Sequence, residues 1–353
     1  ANLFFKKILD IDPLHVDTLI NMGVACYELN KLAQAIIYLE KVKNLNIRQD
    51  EVYFNLGLIY EKNKNLIKAI SQYKQSIKYN PNNLNSLINL GNIYLQNQEY
   101  DNAKIIFEKT INLRPKDPNL YHNLGVVLTR LNNFEKAIEL YSKAQKLKSN
   151  NPLTFYNLGY LFAKKSKFNE SVIQYTNAIK TDPSNAKFYY NLAVSKTELG
   201  KYYSAVENYK KALGISSDYT SARYNLARLN LATENFSEGW RDFEIRHQKD
   251  SVSTRVKNIL RLKQWDGKPF DGTLFVHGEQ GVGDLIIHSS IISDLHKIQP
   301  DICLTVDERM LSLFQRSFKD IDIYGYSAHL DYKDINYVDN DRHLPLASLG
   351  SFL

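Results

Sequence analysis

The sequence predicts a mainly α-helical solenoid of repeated helical hairpins, followed by a partial α/β domain with a parallel sheet. Three observations support this fold class. The tripeptide Asn-Leu-Gly recurs in steps of 34 residues, apolar residues within each step follow helical spacing, and short apolar runs replace the repeat after about residue 250. The net charge also changes there, from +10 over residues 1–250 to −3 over residues 251–353. We therefore predict a repeat domain over 1–250, a linker over 251–270 and an α/β domain over 271–353.

The repeat units begin at residues 16, 50, 84, 118, 152 and 186, a degenerate unit begins at 220, and half a unit occupies residues 1–15. In the unit from 50, Leu56, Gly57 and Tyr60 lie on one face of a first helix, and Ala69 and Tyr73 lie on one face of a second. Glycine at the eighth position of the unit allows the second helix to approach closely. Each unit is therefore predicted to be a helical hairpin.

This period and these small and apolar positions resemble the tetratricopeptide repeat (TPR) family over residues 1–250. The resemblance implies a right-handed superhelix in which the first helices line a concave, protein-binding groove. A single hairpin cannot bury its own apolar face, so stacking of hairpins supplies the core. The unit from 220 has Arg223 and Asn230 at core positions, and we expect it to be the terminal unit, packed against the next domain.

Asparagine occupies the sixth position of every unit, although it is a mediocre helix former. Its carboxamide can donate to and accept from the backbone of an extended polypeptide. The alternative is that each amide pairs with a neighbouring helix. The array resembles the asparagine ladder of the O-linked N-acetylglucosamine transferase family, which implies that the amides hold a polypeptide. These candidate residues are Asn21, Asn55, Asn89, Asn123, Asn157, Asn191 and Asn225.

Polar aromatic residues occupy the fifth position of four units. We expect them either to grip side chains of a bound polypeptide or to pack between the units. These candidates are His122, Tyr156, Tyr190 and Tyr224.

The C-terminal part changes period. A helix is predicted over 236–247, strands over 273–277, 302–306 and 321–324, and helices over 284–298 and 308–318, with Asp284 as an N-cap. The alternation of strands and helices predicts a parallel sheet of the doubly wound type. Ligands bind such sheets beyond the carboxyl ends of the strands, which directs attention to the loop from Gly278 to Asp284.

This loop contributes Gly278, Glu279, Gln280, Gly281 and Gly283 as candidates for a sugar or acceptor site. It lacks the Lys and Ser/Thr of a P-loop and the glycine spacing of a dinucleotide site. Its two carboxylates disfavour phosphate. Asp284 could accept a proton from an acceptor hydroxyl as a general base, or could simply cap the helix.

The stretches WDGKPFDGTLFVHGEQGVGD (265–284) and HLPLASL (343–349) resemble the glycosyltransferase-like domain that follows TPRs in many bacterial proteins. That domain is similar to the lipopolysaccharide heptosyltransferases, whose GT-B fold has two Rossmann-like halves. The resemblance implies that Asp284 is the catalytic base and that the full-length protein uses a nucleotide-sugar donor, bound mainly in the second half. Ser290 stands where the relatives have Arg, which leaves a non-catalytic TPR scaffold as the alternative.

The chain opens within a repeat and ends within the first Rossmann-like half, so we expect a fragment that is inactive alone and holds no cofactor. Its composition, with 44% hydrophobic and 24% charged residues, is that of a folded soluble protein. No apolar run approaches the ~20 residues that span a bilayer. Cys26 and Cys303 are far apart and have no metal-ligand spacing. These features favour a cytoplasmic protein without a metal or a membrane partner.

The basic repeat domain could attract nucleic acid. Its lysines are scattered, however, and no RNA-binding motif accompanies them, which favours a solvated helical surface. The partner expected from the sequence is therefore an extended polypeptide in the concave groove.

Overall fold

The computed structural model describes residues 2–245, 262–278, 282–326, 338 and 340–352. The chain divides into two compact units, residues 1–183 and 184–353. In the first unit, the described residues form the helices α1 Asn2–Ile11, α2 Val16–Glu28, α3 Leu32–Asn44, α4 Gln49–Lys62, α5 Leu66–Tyr79, α6 Leu84–Gln96, α7 Tyr100–Leu113, α8 Pro118–Arg130, α9 Phe134–Lys146, α10 Pro152–Lys164 and α11 Phe168–Thr181.

The second unit begins with two more hairpins, α12 Ala186–Glu198 with α13 Tyr202–Ile215 and α14 Thr220–Ala232 with α15 Phe236–Phe243. The predicted unit boundaries therefore match the helix starts to within a residue. Polar side chains fix several of these starts: the side-chain oxygens of Asn83, Asp117 and Asn151 each accept a hydrogen bond from a backbone N–H of the following helix.

The turn inside each hairpin has one residue in the left-handed region. At the fifteenth position of all seven units φ lies between 56° and 70°, where L-residues are strained unless they are glycine or asparagine. Only one of the seven is glycine. The residues are Asn30, Lys64, Gln98, Asn132, Ser166, Gly200 and Glu234.

The two helices of a hairpin meet where the sequence places its small residues. A Cβ on Gly125 would lie 2.7 Å from Cε1 of Tyr141, and a Cβ on Gly57 would lie 2.5 Å from the corresponding atom of Tyr73. Both tyrosines are fully buried. The close approach predicted for the eighth position is therefore confirmed, and the ring of the second helix occupies the space that a side chain would need.

The α/β region contains a parallel sheet. Its strands are β1 Lys263–Gln264, β2 Leu274–His277, β3 Ile302–Asp307, β4 Asp322–Tyr326 and β5 Arg342–Pro345, in the spatial order β1-β5-β2-β3-β4. Each neighbouring pair is parallel. The order runs outward from β2 to β4 and then returns to the other side of β2, so a topological switch point lies between β2 and β5.

Four details of the predicted α/β region are corrected. The single helix over 284–298 is two helices, α16 Val282–Ser289 and α17 Ile292–Ile298. Because α16 begins at Val282, Asp284 is the third residue of the helix and not its N-cap. Strand β1 occupies two residues that were predicted to be linker. The helix predicted over 308–318 is a 3-10 helix, Glu308–Met310, followed by α18 Leu311–Ser317.

The terminal hairpin contacts the α/β region within the second unit. Phe243 of α15 forms a buried cluster with Ala227 and Ala347, and Ser348 donates a hydrogen bond to Oε2 of Glu244 at 3.0 Å. Ala347 and Ser348 belong to a 3-10 helix, Leu346–Ser351. This contact agrees with the expected packing of the last repeat on the next domain. Most of the predicted linker and its boundary at 250 lie outside the described residues, and the domain limits remain predictions.

Candidate functional site

Three of the repeated asparagines are held by tyrosine hydroxyls. Nδ2 of Asn89 donates to Oη of Tyr73 at 3.2 Å, and Nδ2 of Asn157 donates to Oη of Tyr141 at 3.2 Å. Each tyrosine belongs to the second helix of the preceding hairpin. The contact takes one N–H of the amide and orients the group. A carboxamide also carries a second N–H and a carbonyl oxygen, which can bond to other partners.

Asn225 has the same arrangement in the second unit. Its Nδ2 lies 3.2 Å from Oη of Tyr190 and 3.5 Å from Oη of Tyr209. Tyr209 occupies the same place in its hairpin as Tyr73 and Tyr141. The pattern therefore recurs on both sides of the division between the two compact units.

The intervening asparagines are bonded differently. Phe107 stands where a tyrosine would serve Asn123 and has no hydroxyl, and Asn123 donates instead to Oδ1 of Asn92 at 3.4 Å. Asn191 donates to the backbone carbonyl of Lys187 at 2.8 Å. Asn89, Asn157 and Asn225 are thus tyrosine-anchored at an interval of two repeat units. Six of the seven asparagines, Asn55 included, are half-buried, and Asn21 is exposed.

The anchoring tyrosines stay protonated at physiological pH. Burial raises the pKa of Tyr141 to about 12, and it also raises the pKa of Tyr73 and Tyr209. A neutral phenol can accept from the asparagine and donate elsewhere: Oη of Tyr73 donates to Oε2 of Glu61 at 2.7 Å. The tyrosine hydroxyl therefore links the asparagine amide to a second hydrogen-bond partner in the hairpin, as Tyr73 does between Asn89 and Glu61.

The fifth-position residues pack against the ring on the second helix of their own hairpin. Tyr156 lies 5.7 Å from the ring centroid of Tyr175, and Tyr224 stacks on Phe243 at 5.7 Å. Tyr190 contacts Tyr209 at 5.9 Å. These ring contacts lie within one repeat unit, whereas the packing alternative placed them between units. A grip on a ligand by Tyr156, Tyr190 or Tyr224 remains a prediction.

His122 is the most deeply buried of the four, with 7% of its surface exposed. Its Nδ1 lies 2.9 Å from the hydroxyl of Thr154, and its ring lies 5.7 Å from that of Tyr141. Burial lowers the pKa of His122 to about 4, so the imidazole is neutral at pH 7.

Cavities accompany two of the anchored asparagines, and sequence analysis missed them. We call them the Asn157 cavity, of about 400 Å³, and the Asn225 cavity, of about 320 Å³. Equivalent repeat positions line both, so the second is the first repeated two units later. The shared lining residues are Val126, Thr129, Tyr141 and Asn157 in one and Val194, Thr197, Tyr209 and Asn225 in the other. The recurrence of Thr and Tyr at 68-residue spacing is the sequence signal that could have revealed them.

The glycine-rich loop is described only at its edges. Gly278 is buried, and its backbone N–H donates to the carbonyl of Thr305 at 3.0 Å. Gly283 and Asp284 lie in the first turn of α16, the helix that follows β2 in the chain. Glu279, Gln280 and Gly281 lie outside the described residues.

Two histidines that sequence analysis did not select meet at the switch point of the sheet. Nε2 of His277 on β2 lies 3.3 Å from Nδ1 of His343 on β5, and both side chains are buried. The described residues contain no group of three or more His, Cys, Asp and Glu side chains that could hold a metal ion. Nor does any helix in the described ranges combine the length and apolar character needed to cross a membrane.

Comparison with known proteins identifies the repeats. Models of the tetratricopeptide repeat match residues 16–46, 50–83, 82–150 and 186–219, and a TPR repeat model matches residues 159–199. The chain therefore contains tetratricopeptide repeats, as predicted. No curated protein matches the sequence.

Among solved structures, pilF of Pseudomonas aeruginosa is 16% identical with a TM-score of 0.53, covering 60% of this chain and 96% of that chain. This likeness supports the mainly helical solenoid fold. YrrB, described as a TPR protein with an unusual peptide-binding site, is 22% identical with a TM-score of 0.45, covering 55% of this chain and 96% of that one. MamA from Desulfovibrio magneticus RS-1 is 17% identical with a TM-score of 0.46, covering 49% and 97%.

Proposed function

We propose that this protein is a protein-binding TPR scaffold whose repeated asparagines hold the backbone of an extended polypeptide in the groove lined by the first helices. The observation that carries this proposal is the anchoring of Asn89, Asn157 and Asn225 by buried tyrosine hydroxyls. An amide that is oriented before the ligand arrives loses less conformational entropy on binding. Amides that pair with backbone groups bind a polypeptide irrespective of its side chains.

Single contacts of this kind are weak. A hydrogen bond contributes about 1 kcal/mol net, so several amides must act together to give a measurable affinity. The half-exposure of six of the seven asparagines is consistent with this use, because a ligand can reach the amides. Because they are half-exposed, these amides contribute little to the stability of the fold.

The test compares Asn157 with the tyrosine that anchors it. In the full chain, Asn123→Ala combined with Asn157→Ala should weaken binding of a fluorescein-labelled Ser/Thr-rich peptide by about tenfold, measured by fluorescence anisotropy. Tyr141→Phe is the matched control, because it removes the hydroxyl and keeps the amide. It should weaken binding less than the double variant.

A purely structural role for the amides predicts a different outcome. The asparagine substitutions would then lower the unfolding midpoint but leave peptide affinity unchanged, and the proposal would be wrong. Unfolding in urea, followed by circular dichroism, separates the two effects.

We further propose that the repeats present the bound polypeptide to a glycosyltransferase-like C-terminal domain, with Asp284 as the base that takes a proton from an acceptor hydroxyl and with a nucleotide sugar as donor. The parallel sheet and the position of Asp284 in the helix that follows β2 support this proposal. So does the contact between α15 and the 3-10 helix Leu346–Ser351, which couples the last repeat to the sheet region. The resemblance on which it rests implies a bacterial, cytoplasmic protein.

The transferase proposal is tested with the protein as it occurs in its cell. Radiolabelled nucleotide sugars are supplied, and transfer to polypeptide is followed. Asp284→Asn should lower the rate by about a hundredfold, the lower end of what general base catalysis contributes. An unchanged rate would remove Asp284 from the reaction, and no transfer from any donor would favour the non-catalytic scaffold.

A further inference from the structure

The Asn157 cavity differs from its counterpart in charge. Arg130 and Lys164 both line it, and no carboxylate is among the described residues that do. Neither cation takes part in any ion pair formed by the described residues. The cavity therefore holds two positive charges that are not neutralised from within the described chain.

The Asn225 cavity lacks this excess. Glu198 stands at the repeat position of Arg130, and Ala232 stands at the position of Lys164. Among the described residues that line it, Arg228 is the one cation, 5.9 Å from the ring centroid of Tyr224, and Glu198 balances its charge. The two cavities thus share their threonine, tyrosine and asparagine and differ in net charge by two.

The lining of the Asn157 cavity holds its cations in place. Nζ of Lys164 lies 4.2 Å from the ring centroid of Phe134, a cation–π contact that fixes the ammonium at the cavity wall. Arg130 ends helix α8, where the last carbonyls favour a cation. The amide of Asn157 and the hydroxyl of Thr129 add polar groups to the same space.

We infer that the Asn157 cavity binds an acidic side chain, Asp or Glu, of the polypeptide, and that the Asn225 cavity does not select for charge. This inference rests on the proposed binding of an extended polypeptide. Backbone pairing by the asparagines supplies affinity, and the Asn157 cavity supplies a preference for sequences with a carboxylate in register with it. Hydrogen bonds to an ionised group are stronger than those to a neutral group. A peptide that places one carboxylate in this cavity should therefore bind about tenfold more tightly than a peptide without it.

The test uses the full chain and two fluorescein-labelled Ser/Thr-rich peptides of about 20 residues that differ only in a central Glu or Gln. Fluorescence anisotropy is measured at low salt, where screening is weak. The chain should bind the Glu peptide about tenfold more tightly than the Gln peptide. Arg130→Gln combined with Lys164→Gln should remove this preference, so that the Glu and Gln peptides bind about equally.

A matched control removes two positive charges from the same hairpins outside the cavity. Lys136 and Lys167 are exposed and do not line it. Lys136→Gln combined with Lys167→Gln should keep the tenfold preference. A second variant, Arg130→Glu combined with Lys164→Glu, should bind a peptide with a central Lys more tightly than the Gln peptide, which a damaged fold could not produce.

The possible failures are distinguishable. Equal binding of the Glu and Gln peptides by the unmodified chain, or a preference that survives loss of Arg130 and Lys164, overturns the acidic-side-chain site and leaves backbone binding intact. Absence of binding to either peptide overturns the proposed polypeptide binding and this inference with it.

Discussion

At the scale of single residues, hydrogen bonds connect the repeated asparagines to buried tyrosines of the hairpin core. A tyrosine that packs over glycine carries its hydroxyl to the asparagine of the next hairpin, as Tyr141 does for Asn157. Where Phe107 replaces the tyrosine, Asn123 finds a different partner. For Asn157 and Asn123, the presence or absence of a hydroxyl on the buried ring 16 residues earlier therefore changes the partner of a half-exposed amide.

His122 gives a pH prediction at the same scale. Its pKa is about 4 in the folded chain and about 6.5 when unfolded, so the unfolded state binds the proton first as pH falls. Stability that is fully present above about pH 6.5 is therefore lost as the pH falls towards 4. Between about pH 6.5 and pH 5 we expect a loss of roughly 1 to 2 kcal/mol in the free energy of unfolding.

Urea titrations at these two pH values measure this loss. His122→Gln is the comparison, because a neutral amide does not titrate, and it should reduce the pH dependence by most of that amount. A variant whose stability changes with pH as much as that of the unmodified chain would show that other groups cause the effect.

At the scale of the hairpin, the small residues of the first helix set the distance to the second. Gly125→Ala would bring a Cβ to 2.7 Å from the ring of Tyr141, and the ring must move. We expect this change to lower the free energy of unfolding by about 1 to 3 kcal/mol. Urea denaturation followed by circular dichroism measures the loss.

Gly214→Ala is the matched control, since Gly214 also lies in a helix but no atom of the described residues is within 4 Å of its added Cβ. Alanine is the better helix former, so this change should stabilise by about 0.5 to 1 kcal/mol. If Gly→Ala lowers the free energy of unfolding at position 125 and raises it at position 214, the effect of packing is separated from that of helix propensity. Destabilisation of equal size at both sites would contradict the argument.

The hairpin is also where the sequence was most informative. The 34-residue period predicted the helix starts. The glycine of the first helix and the alanine and aromatic ring of the second helix recur at fixed places in each unit, where the two helices pack together. The left-handed turn residues escaped notice, since Lys64, Gln98 and Glu234 carry no signal for positive φ. The tyrosine–asparagine bonds were not predicted either, because they join hairpins and depend on the distance at which these stack.

At the scale of the whole molecule, the α/β region was harder to anticipate than the repeats. Strands β2, β3 and β4 were predicted from apolar runs, but β5, which pairs between β1 and β2, was not. Strand β1 was missed as well, because it has two residues and both of its side chains are exposed. The break between α16 and α17 falls at Ser290 and Ile291 in a sequence that reads as one helix. Long-range pairing decides these features, and no local pattern reports it.

The coupling of the last repeat to the sheet region can be tested at Trp240. A Cβ on Gly350 would clash with the indole of Trp240, so the indole covers this glycine. The indole ring also lies 5.9 Å from the ring of His288. Trp240→Ala removes a half-buried indole from both contacts, which should cost about 2 kcal/mol locally. Hydrogen exchange should then speed up in α15 and in the 3-10 helix Leu346–Ser351 together.

Phe236→Ala provides the control, because Phe236 lies on the same helix with 56% of its surface exposed. It should leave exchange in the 3-10 helix unchanged. Faster exchange in α15 alone after Trp240→Ala would mean that the repeat and the sheet region are stabilised separately. Faster exchange in both elements would mean that the hairpin carrying Asn225 and the sheet that contains β2 unfold as one cooperative unit. The proposed presentation of a polypeptide to that sheet requires this coupling.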